Sequence, residues 1–198
     1  MPGYRRAMAM NALHRRICRS DSWADRMHGT TLPWATGDVD LAREVLEIGP
    51  GYGVTTRWLA PRAGALTALE VDPAMAADLR DGLGRELGVD VRHGDGAALP
   101  FPDESFDTVV CFTMLHHVPT PAEQDRLFTE AARVLRPGGT FAGIDTRLSL
   151  RFRLIHIGDT MTVVDPAGLP GRLSAAGLAE PGTELGQRSF RFRATRPA

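Results

Sequence analysis

The sequence predicts an α/β fold built on a mostly parallel sheet, and three observations carry that prediction. Short apolar runs alternate with helical stretches and loops from about residue 43 to residue 145, the interval expected of strand–helix–strand units. The run from Phe106 to Phe112 is almost wholly apolar, as a central parallel strand covered on both faces should be. With 198 residues, 43% of them hydrophobic and 24% charged, the chain can bury one good core, and its length favours one main domain over two.

Each element follows from local signals. The first ten or so residues read as a loose arm. Met10, Leu13, Ile17 and Cys18 then fall at helical spacing and predict a short amphipathic helix. Trp23, His28 and Trp34 follow in a segment broken by Gly29, Pro33 and Gly37, which needs the next domain to pack on. Residues 1–37 are therefore read as a helical arm or lid, and residues 38–198 as the main domain.

In that domain Arg43 to Ile48 predicts a buried strand, Gly53 to Leu59 a short helix and Ala65 to Val71 a second strand. Asp72 supplies an N-cap and Pro73 a first-turn proline for a helix to about Leu83. Val89 to Arg92 makes a short third strand, and Phe106 to Phe112 the central one. Thr120, Pro121 and Glu123 announce a helix with a capping box, whose apolar face holds Leu127, Phe128, Ala131, Val134 and Leu135. Pro137, Gly138 and Gly139 stop it before a strand from Thr140 to Ile144. An insertion at about residues 146–164, rich in arginine from Arg147 to Arg153, precedes a helix from Asp165 and Pro166 to Gly177. Strands from Glu180 to Leu185 and Phe190 to Thr195, joined through Gly186 and Gln187, close the chain as an antiparallel hairpin at the sheet edge.

Charge and composition narrow the function. The net charge of −1 hides a division: six Arg against two acids up to residue 37, nine Arg against 18 acids over 38–145, and eight Arg against four acids beyond. Positive charge spread over two flanks is not the concentrated basic domain of a nucleic-acid binder; an anionic small substrate, or simple pairing of the flanks with the acidic core, explains it equally well. All 23 basic residues are arginine, which excludes Schiff-base chemistry by lysine. There is no apolar run of membrane-spanning length and no signal-peptide pattern, so a soluble, cytoplasmic protein without a membrane partner is expected. Cys18 and Cys111 stand far apart and suit a reducing compartment. No His, Cys or Asp grouping shows metal-ligand spacing, so no metal is expected. Oligomeric state is left open.

Three segments carry candidate chemistry. Glu47-Ile48-Gly49-Pro50-Gly51-Tyr52-Gly53 follows a strand and opens a helix, and its glycines let backbone approach a ligand. Val54 stands where the dinucleotide fingerprint wants a third glycine, which counts against a nicotinamide oxidoreductase. Glu70 closes the next strand, where a carboxylate can accept both hydroxyls of a ribose; capping the turn before Pro73 is its alternative role, one that Asp72 fills better. Asp95, in Gly94-Asp95-Gly96-Ala97, can accept from an exocyclic amine beside a flat ring over Ala97, or can serve only as a turn residue.

Together the runs VLEIGPGYG (45–53), ALEVDPAM (68–75), GDGAALPFPDESFDTVVCFTMLHHV (94–118) and RVLRPGGTF (133–141) resemble the class I S-adenosylmethionine-dependent methyltransferases, in particular the small-molecule, type 11-like group. The resemblance covers roughly residues 43–145. It implies a Rossmann-like three-layer sandwich with a seven-stranded sheet whose last strand is antiparallel. It further implies a cofactor, S-adenosyl-L-methionine, with Gly49, Gly51 and Gly53 at its methionine moiety and Glu47 nearby. On the same resemblance Glu70 and Val71 sit at the ribose, Asp95, Gly96 and Ala97 at the adenine, and Met114 to His117 beside the methyl group. Asp72 departs from the Ser or Asn of many relatives, a tolerable change at a helix cap.

Methyl transfer asks the protein mainly to align an acceptor and exclude water, with a base where a proton must leave. His116 and His117, after the central strand, are the candidates for orienting or deprotonating the acceptor, and either can equally be a packing residue. His28 and His156 lie in the two flanks; His14 reads as a helix-surface residue and His93 as a strand end. Trp23, Trp34, Phe152, Met161 and the arginines at 147, 151 and 153 can form an apolar lid with a basic rim, or the tryptophans can cover outer helices as ordinary core. The lid reading implies a small, moderately hydrophobic acceptor with an acidic group, methylated on O, N or C. A non-methylating cyclase or regulatory protein that keeps the cofactor pocket is one alternative function, and an NAD-dependent oxidoreductase is the other.

Overall fold

The computed structural model describes residues 10–198, and the expected loose arm lies almost wholly outside the described residues. Seven strands form one sheet: β1 (Glu44–Ile48), β2 (Ala65–Glu70), β3 (Asp90–His93), β4 (Phe106–Phe112), β5 (Leu135–Thr146), β6 (Ala179–Leu185) and β7 (Ser189–Thr195), in the order β3-β2-β1-β4-β5-β7-β6. The pairs among β1 to β5 are parallel, whereas β7 runs antiparallel to both β5 and β6. The strand order reverses between β1 and β4, which opens a crevice at their C-terminal ends.

Both faces of the sheet are covered. On one, Leu46, Ile48, Val109 and Phe141 pack against Leu127 and Phe128 of the helix Pro121–Val134. On the other, Val45, Leu66, Val110 and Ile144 meet Trp58 together with Met27, Leu32 and Ala35 from the N-terminal segment. Met27 and Leu32 are fully buried, and each such side chain contributes about 1.5–3 kcal/mol.

The N-terminal helices are α1 (Ala12–Cys18), α2 (Asp21–Arg26) and α3 (Leu32–Thr36). Asn11 caps α1 and Ser20 caps α2, their side chains accepting from the His14 and Trp23 N–H groups. Gly29 does not break the chain: a π turn over Met27–Thr31 carries α2 into α3. Pro33 falls in the first turn of α3, where a missing N–H costs nothing.

Next come α4 (Val54–Leu59) and α5 (Pro73–Leu79), the latter capped by Asp72 Oδ1 accepting from Ala74 and Met75. The helix passes Leu83 through a second π turn and α6 (Arg85–Leu87), ending at Gly88 with φ +69°. In α7 (Pro121–Val134) Thr120 Oγ1 accepts from the Glu123 N–H, and donates to the Glu123 carboxylate where a full capping box would have that carboxylate bind backbone. The last helices are α8 (Leu150–Ile155) and α9 (Leu169–Ala175).

Three expectations change in detail. Pro137, Gly138 and Gly139 lie inside β5 as a bulge, shown by the register shift opposite Phe106 and Thr108. Helix α9 starts at Leu169, because Asp165 Oδ1 accepts from Ala167 N and holds the preceding residues in a turn. The hairpin turns on Gln187 and Arg188, closed by the Gly186 N–H on Ser189 O.

Candidate active site

A cavity of about 1270 Å³ opens where β1, β2, β3 and β4 end. Its floor is the glycine turn after β1, with φ +73° at Gly49, +57° at Gly51 and +78° at Gly53. Gly49 and Gly51 line the cavity. A Cβ on Gly51 would meet nothing nearer than Met75 Cε at 3.9 Å, so this backbone is open to a ligand. Gly53 does a different job: its Cβ would come within 2.4 Å of Leu83 Cδ1 and 2.7 Å of Leu79 Cδ2, so it lets α4 pack on α5 from outside the cavity lining.

Glu47 is likewise displaced from the role expected of it. Its carboxylate lies behind the turn, accepts the Thr55 and Thr56 hydroxyls, and does not line the cavity. Burial pushes its pKa up to about 7 against the two hydroxyl donors that favour the ionised form. It ties β1 to α4, and so shapes the glycine turn from underneath.

Glu70 stands in the cavity wall with Val71. Its two oxygens accept from Gly51 N and Asp72 N, each at 3.0 Å, and burial is the main cause of its raised pKa. The Val71 backbone also hydrogen-bonds this carboxylate, whose two oxygens together can accept about four such bonds. Asp95, Gly96 and Ala97 form the adjoining wall. Asp95 Oδ1 accepts from Ala97 N at 2.8 Å, so its carboxylate fills the turn role while the residue lines the cavity. Gly96 is required by packing, since a Cβ there would sit 2.9 Å from Ile48 Cγ2.

Beyond Met114 the wall becomes imidazole. Thr113, with φ +52°, turns the chain out of β4 and is held by its N–H on Ile144 O at 2.7 Å. The following 3₁₀ turn, Leu115–His117, brings both predicted histidines to the cavity. His116 is buried; its backbone N–H and its Nδ1 bond the two oxygens of Asp145, at 3.0 and 2.5 Å. Nδ1–H is thus committed to the carboxylate, and Nε2 keeps the lone pair.

His14 and His156 join them. His14 Nδ1 donates to Asp159 Oδ2 at 2.9 Å, and His156 Nδ1 donates to Phe152 O at 2.8 Å. His117 and His156 each lie 4.2–5.6 Å, centroid to centroid, from one another and from both His14 and His116. Burial holds His14 below and His117 well below the ordinary histidine range, and takes His156 to about 4, so these three rings are neutral near pH 7. Cys18 also lines the cavity, but burial pushes its thiol to about 11, which makes it a poor nucleophile.

Of the expected acceptor-side residues, Trp23, Phe152 and His156 line the cavity. His28, Trp34 and Met161 do not. His28 Nε2 bonds Val54 O, and Trp34 Nε1 donates to Glu184 while Arg191 covers its ring, so both serve packing. The basic rim also moves: Arg147 donates to Gly186 O, Arg153 is not in the lining, and the side chain of Arg151 lies outside the described residues. Arg15, Arg26 and Arg188 take that place.

His14 was expected on a helix surface and is instead buried, because α1 lies under the 146–164 insertion through Asn11 bonds to Ile155 O and Asp159. Asp145 and Asp159 were also missed. The only sequence signal for Asp145 is a single acid closing the apolar run of β5.

Residues 46–143 match a family model described as a methyltransferase domain. A probable S-adenosylmethionine-dependent methyltransferase of Mycolicibacterium smegmatis is 35% identical over 155 residues, 70% of this chain and 58% of that protein. A fatty-acid O-methyltransferase of the same organism is 36% identical over 121 residues, 57% of this chain and 40% of that protein. The matched stretch thus spans less than two thirds of either relative's length. The crystal structure of the PH0226 protein from Pyrococcus horikoshii OT3 superposes with a TM-score of 0.78 over 92% of this chain and 98% of that one, at 18% identity, a likeness of fold. Motifs, sheet order and family match converge, and the chain belongs to the class I S-adenosylmethionine-dependent methyltransferases.

Proposed function

We propose that the protein methylates a small, moderately hydrophobic acceptor that carries an acidic group, using S-adenosylmethionine. The observation that supports this reading is that a single cavity joins the Gly51, Glu70 and Asp95 wall to the His116–Asp145 pair and to Trp23 and Phe152. Its volume of about 1270 Å³ exceeds that of most single-ligand sites, which leaves room for cofactor and acceptor together.

The residues fit the cofactor. Gly51 offers unobstructed backbone, Glu70 two acceptor oxygens and Asp95 a carboxylate beside the small Gly96 and Ala97. When bound, S-adenosylmethionine supplies a methyl group already activated on a sulfonium. Glu70 and Asp95 orient the two ends of the nucleoside by hydrogen bonding. Where the acceptor is a hydroxyl or a protonated amine, His116 Nε2 takes its proton, and Asp145 holds the ring and stabilises the imidazolium that forms; a carboxylate acceptor needs no such step. Trp23 and Phe152 exclude water, and Arg15, Arg26 and Arg188 attract the acidic group.

On this reading residues 10–37 and 146–164 together form the lid that selects the acceptor, and the fatty-acid O-methyltransferase relative fits an apolar acid as substrate. Free thiols at Cys18 and Cys111 fit activity in the cytoplasm. Among the described residues no helix is long and apolar enough to cross a membrane.

The test is calorimetry with S-adenosylmethionine and its demethylated product, followed by mass-spectrometric search for methylated products among apolar carboxylic acids. Saturable binding and a product 14 mass units heavier are expected. Failure of both compounds to bind overturns the assignment; binding without methyl consumption across acceptors points to a cyclase or regulatory use of the pocket.

A further inference from the structure

We propose that His14, His117 and His156 bind one divalent transition-metal ion of the zinc class, with an open coordination position toward the acceptor side of the cavity. One ring nitrogen or other ligand atom from each lies within 4.8 Å of the others, although the residues come from α1, the turn after β4 and the end of α8. A closed tetrahedral shell with metal–nitrogen bonds of about 2.0–2.1 Å needs the nitrogens about 3.3 Å apart. Modest ring rotation closes that gap.

Three features distinguish this cluster from packed imidazoles. His156 is buried, and its Nε2 is the one buried side-chain polar atom among the described residues without a hydrogen-bond partner. Such an orphan is destabilising unless something binds it. Each ring, moreover, is oriented by an acceptor outside the cluster: Asp159 for His14, Phe152 O for His156 and the Thr160 backbone for His117. A carboxylate or carbonyl on the far nitrogen is how ligating histidines are aimed and made more basic. Finally, the donors are all imidazole nitrogen, which suits zinc, cobalt, nickel, copper or iron and disfavours the oxygen-seeking magnesium and calcium.

Three protein ligands leave a fourth position, the pattern of catalytic zinc sites. All three histidines line the same cavity as His116, whose ring centroid lies 4.2 Å from that of His117. The open position therefore suits an oxygen of the acceptor, a role that rests on the methyl-transfer reading. Metal binding itself does not depend on that reading.

The experiment uses tag-free full-length protein stripped by a chelator, then titrated with ZnCl₂ by calorimetry and with CoCl₂ by visible absorption. One equivalent of zinc and cobalt ligand-field bands of low-coordinate geometry are expected. His117→Ala and His156→Ala should each weaken zinc binding at least about 100-fold, and Asp159→Asn about 10–100-fold. S-adenosylhomocysteine affinity is measured on the same samples. Zinc that fails to bind stoichiometrically, or binds equally well in both alanine variants, overturns the site; retained S-adenosylhomocysteine binding then leaves the methyltransferase reading standing. Zinc binding without S-adenosylhomocysteine binding has the opposite meaning. If the alanine variants lose their fold, the cobalt spectrum of the unsubstituted protein decides, since bands absent or typical of a six-water shell overturn the site.

Discussion

Gly51 and Gly53, two residues apart in one turn, should fail in opposite ways when replaced by alanine. Both have positive φ, so each substitution costs about 1–2 kcal/mol in backbone conformation. At Gly53 the new Cβ also falls 2.4 and 2.7 Å from two leucine methyls, an overlap that adds about 1–3 kcal/mol. In a protein of this size each kcal/mol lowers Tm by about 2–4 °C, so Gly53→Ala should lose roughly 4–20 °C. At Gly51 the nearest atom is 3.9 Å away, and Tm should fall by only about 2–8 °C. On the proposed placement of the cofactor the methyl group projects toward it, and a comparable overlap of about 1–3 kcal/mol should weaken binding roughly 5- to 150-fold. Thermal unfolding and calorimetry with S-adenosylhomocysteine read the two effects separately. If Gly53→Ala proved the more stable variant, or Gly51→Ala bound the nucleoside as well as the parent, the division of the turn into a packing glycine and a ligand-facing glycine would be wrong.

Other outcomes follow from the same geometry. Asp95→Ala removes a charged acceptor worth about 1.5–3 kcal/mol, so S-adenosylhomocysteine affinity should drop about 10- to 150-fold by calorimetry with little change in turnover at saturation. For an acceptor hydroxyl, His116→Asn should lower kcat about 100-fold or more with cofactor affinity kept, and Asp145→Asn should do so less severely because the base remains but loses its orienting carboxylate. Equal cofactor losses in both variants would count against the proton-transfer role. Glu47→Gln tests linkage. With a folded pKa of about 7 against an ordinary 4.5, Glu47 contributes stability that is present below pH 4.5 and lost as pH rises through 7, a fall on the order of 3 kcal/mol. Denaturant unfolding from pH 4 to 8 should show that fall in the parent and not in the variant; parallel curves would place the Glu47 pKa elsewhere.

The six histidines show how differently one residue type can be used. His28 fastens the N-terminal segment to Val54 O, and His116 is coupled to a buried carboxylate. His14, His117 and His156 are desolvated rings that come together only because α1 and the insertion fold over the same sheet edge. One polar tie between them is Asp159, which accepts from both Asn11 N and His14 Nδ1, beside the Asn11 Nδ2 bonds to Ile155 O and Ile157 O. Loss of that carboxylate should loosen the lid and the imidazole cluster together.

The parallel sheet, and the residues of the cavity wall proposed for the nucleoside, could be read directly from the chain. Their determinants are local: period and apolar content define β1, β2 and β4, Asp72 and Pro73 start α5, and Gly49, Gly51, Glu70 and Asp95 occur at strand ends whose place in such a sheet is set by topology. Gly53 and Glu47 were assigned to that wall and stand behind it, because sequence shows that a position needs a glycine or an acid without showing which neighbour makes the demand. The acceptor side was far less legible. His14, Asp145 and Asp159 are separated by long stretches of chain, and Trp34 and His28 look as suited to a lid as Trp23 does. Their roles depend on how the N-terminal helices and the insertion dock on the sheet, a matter of non-local packing and burial that no local pattern encodes.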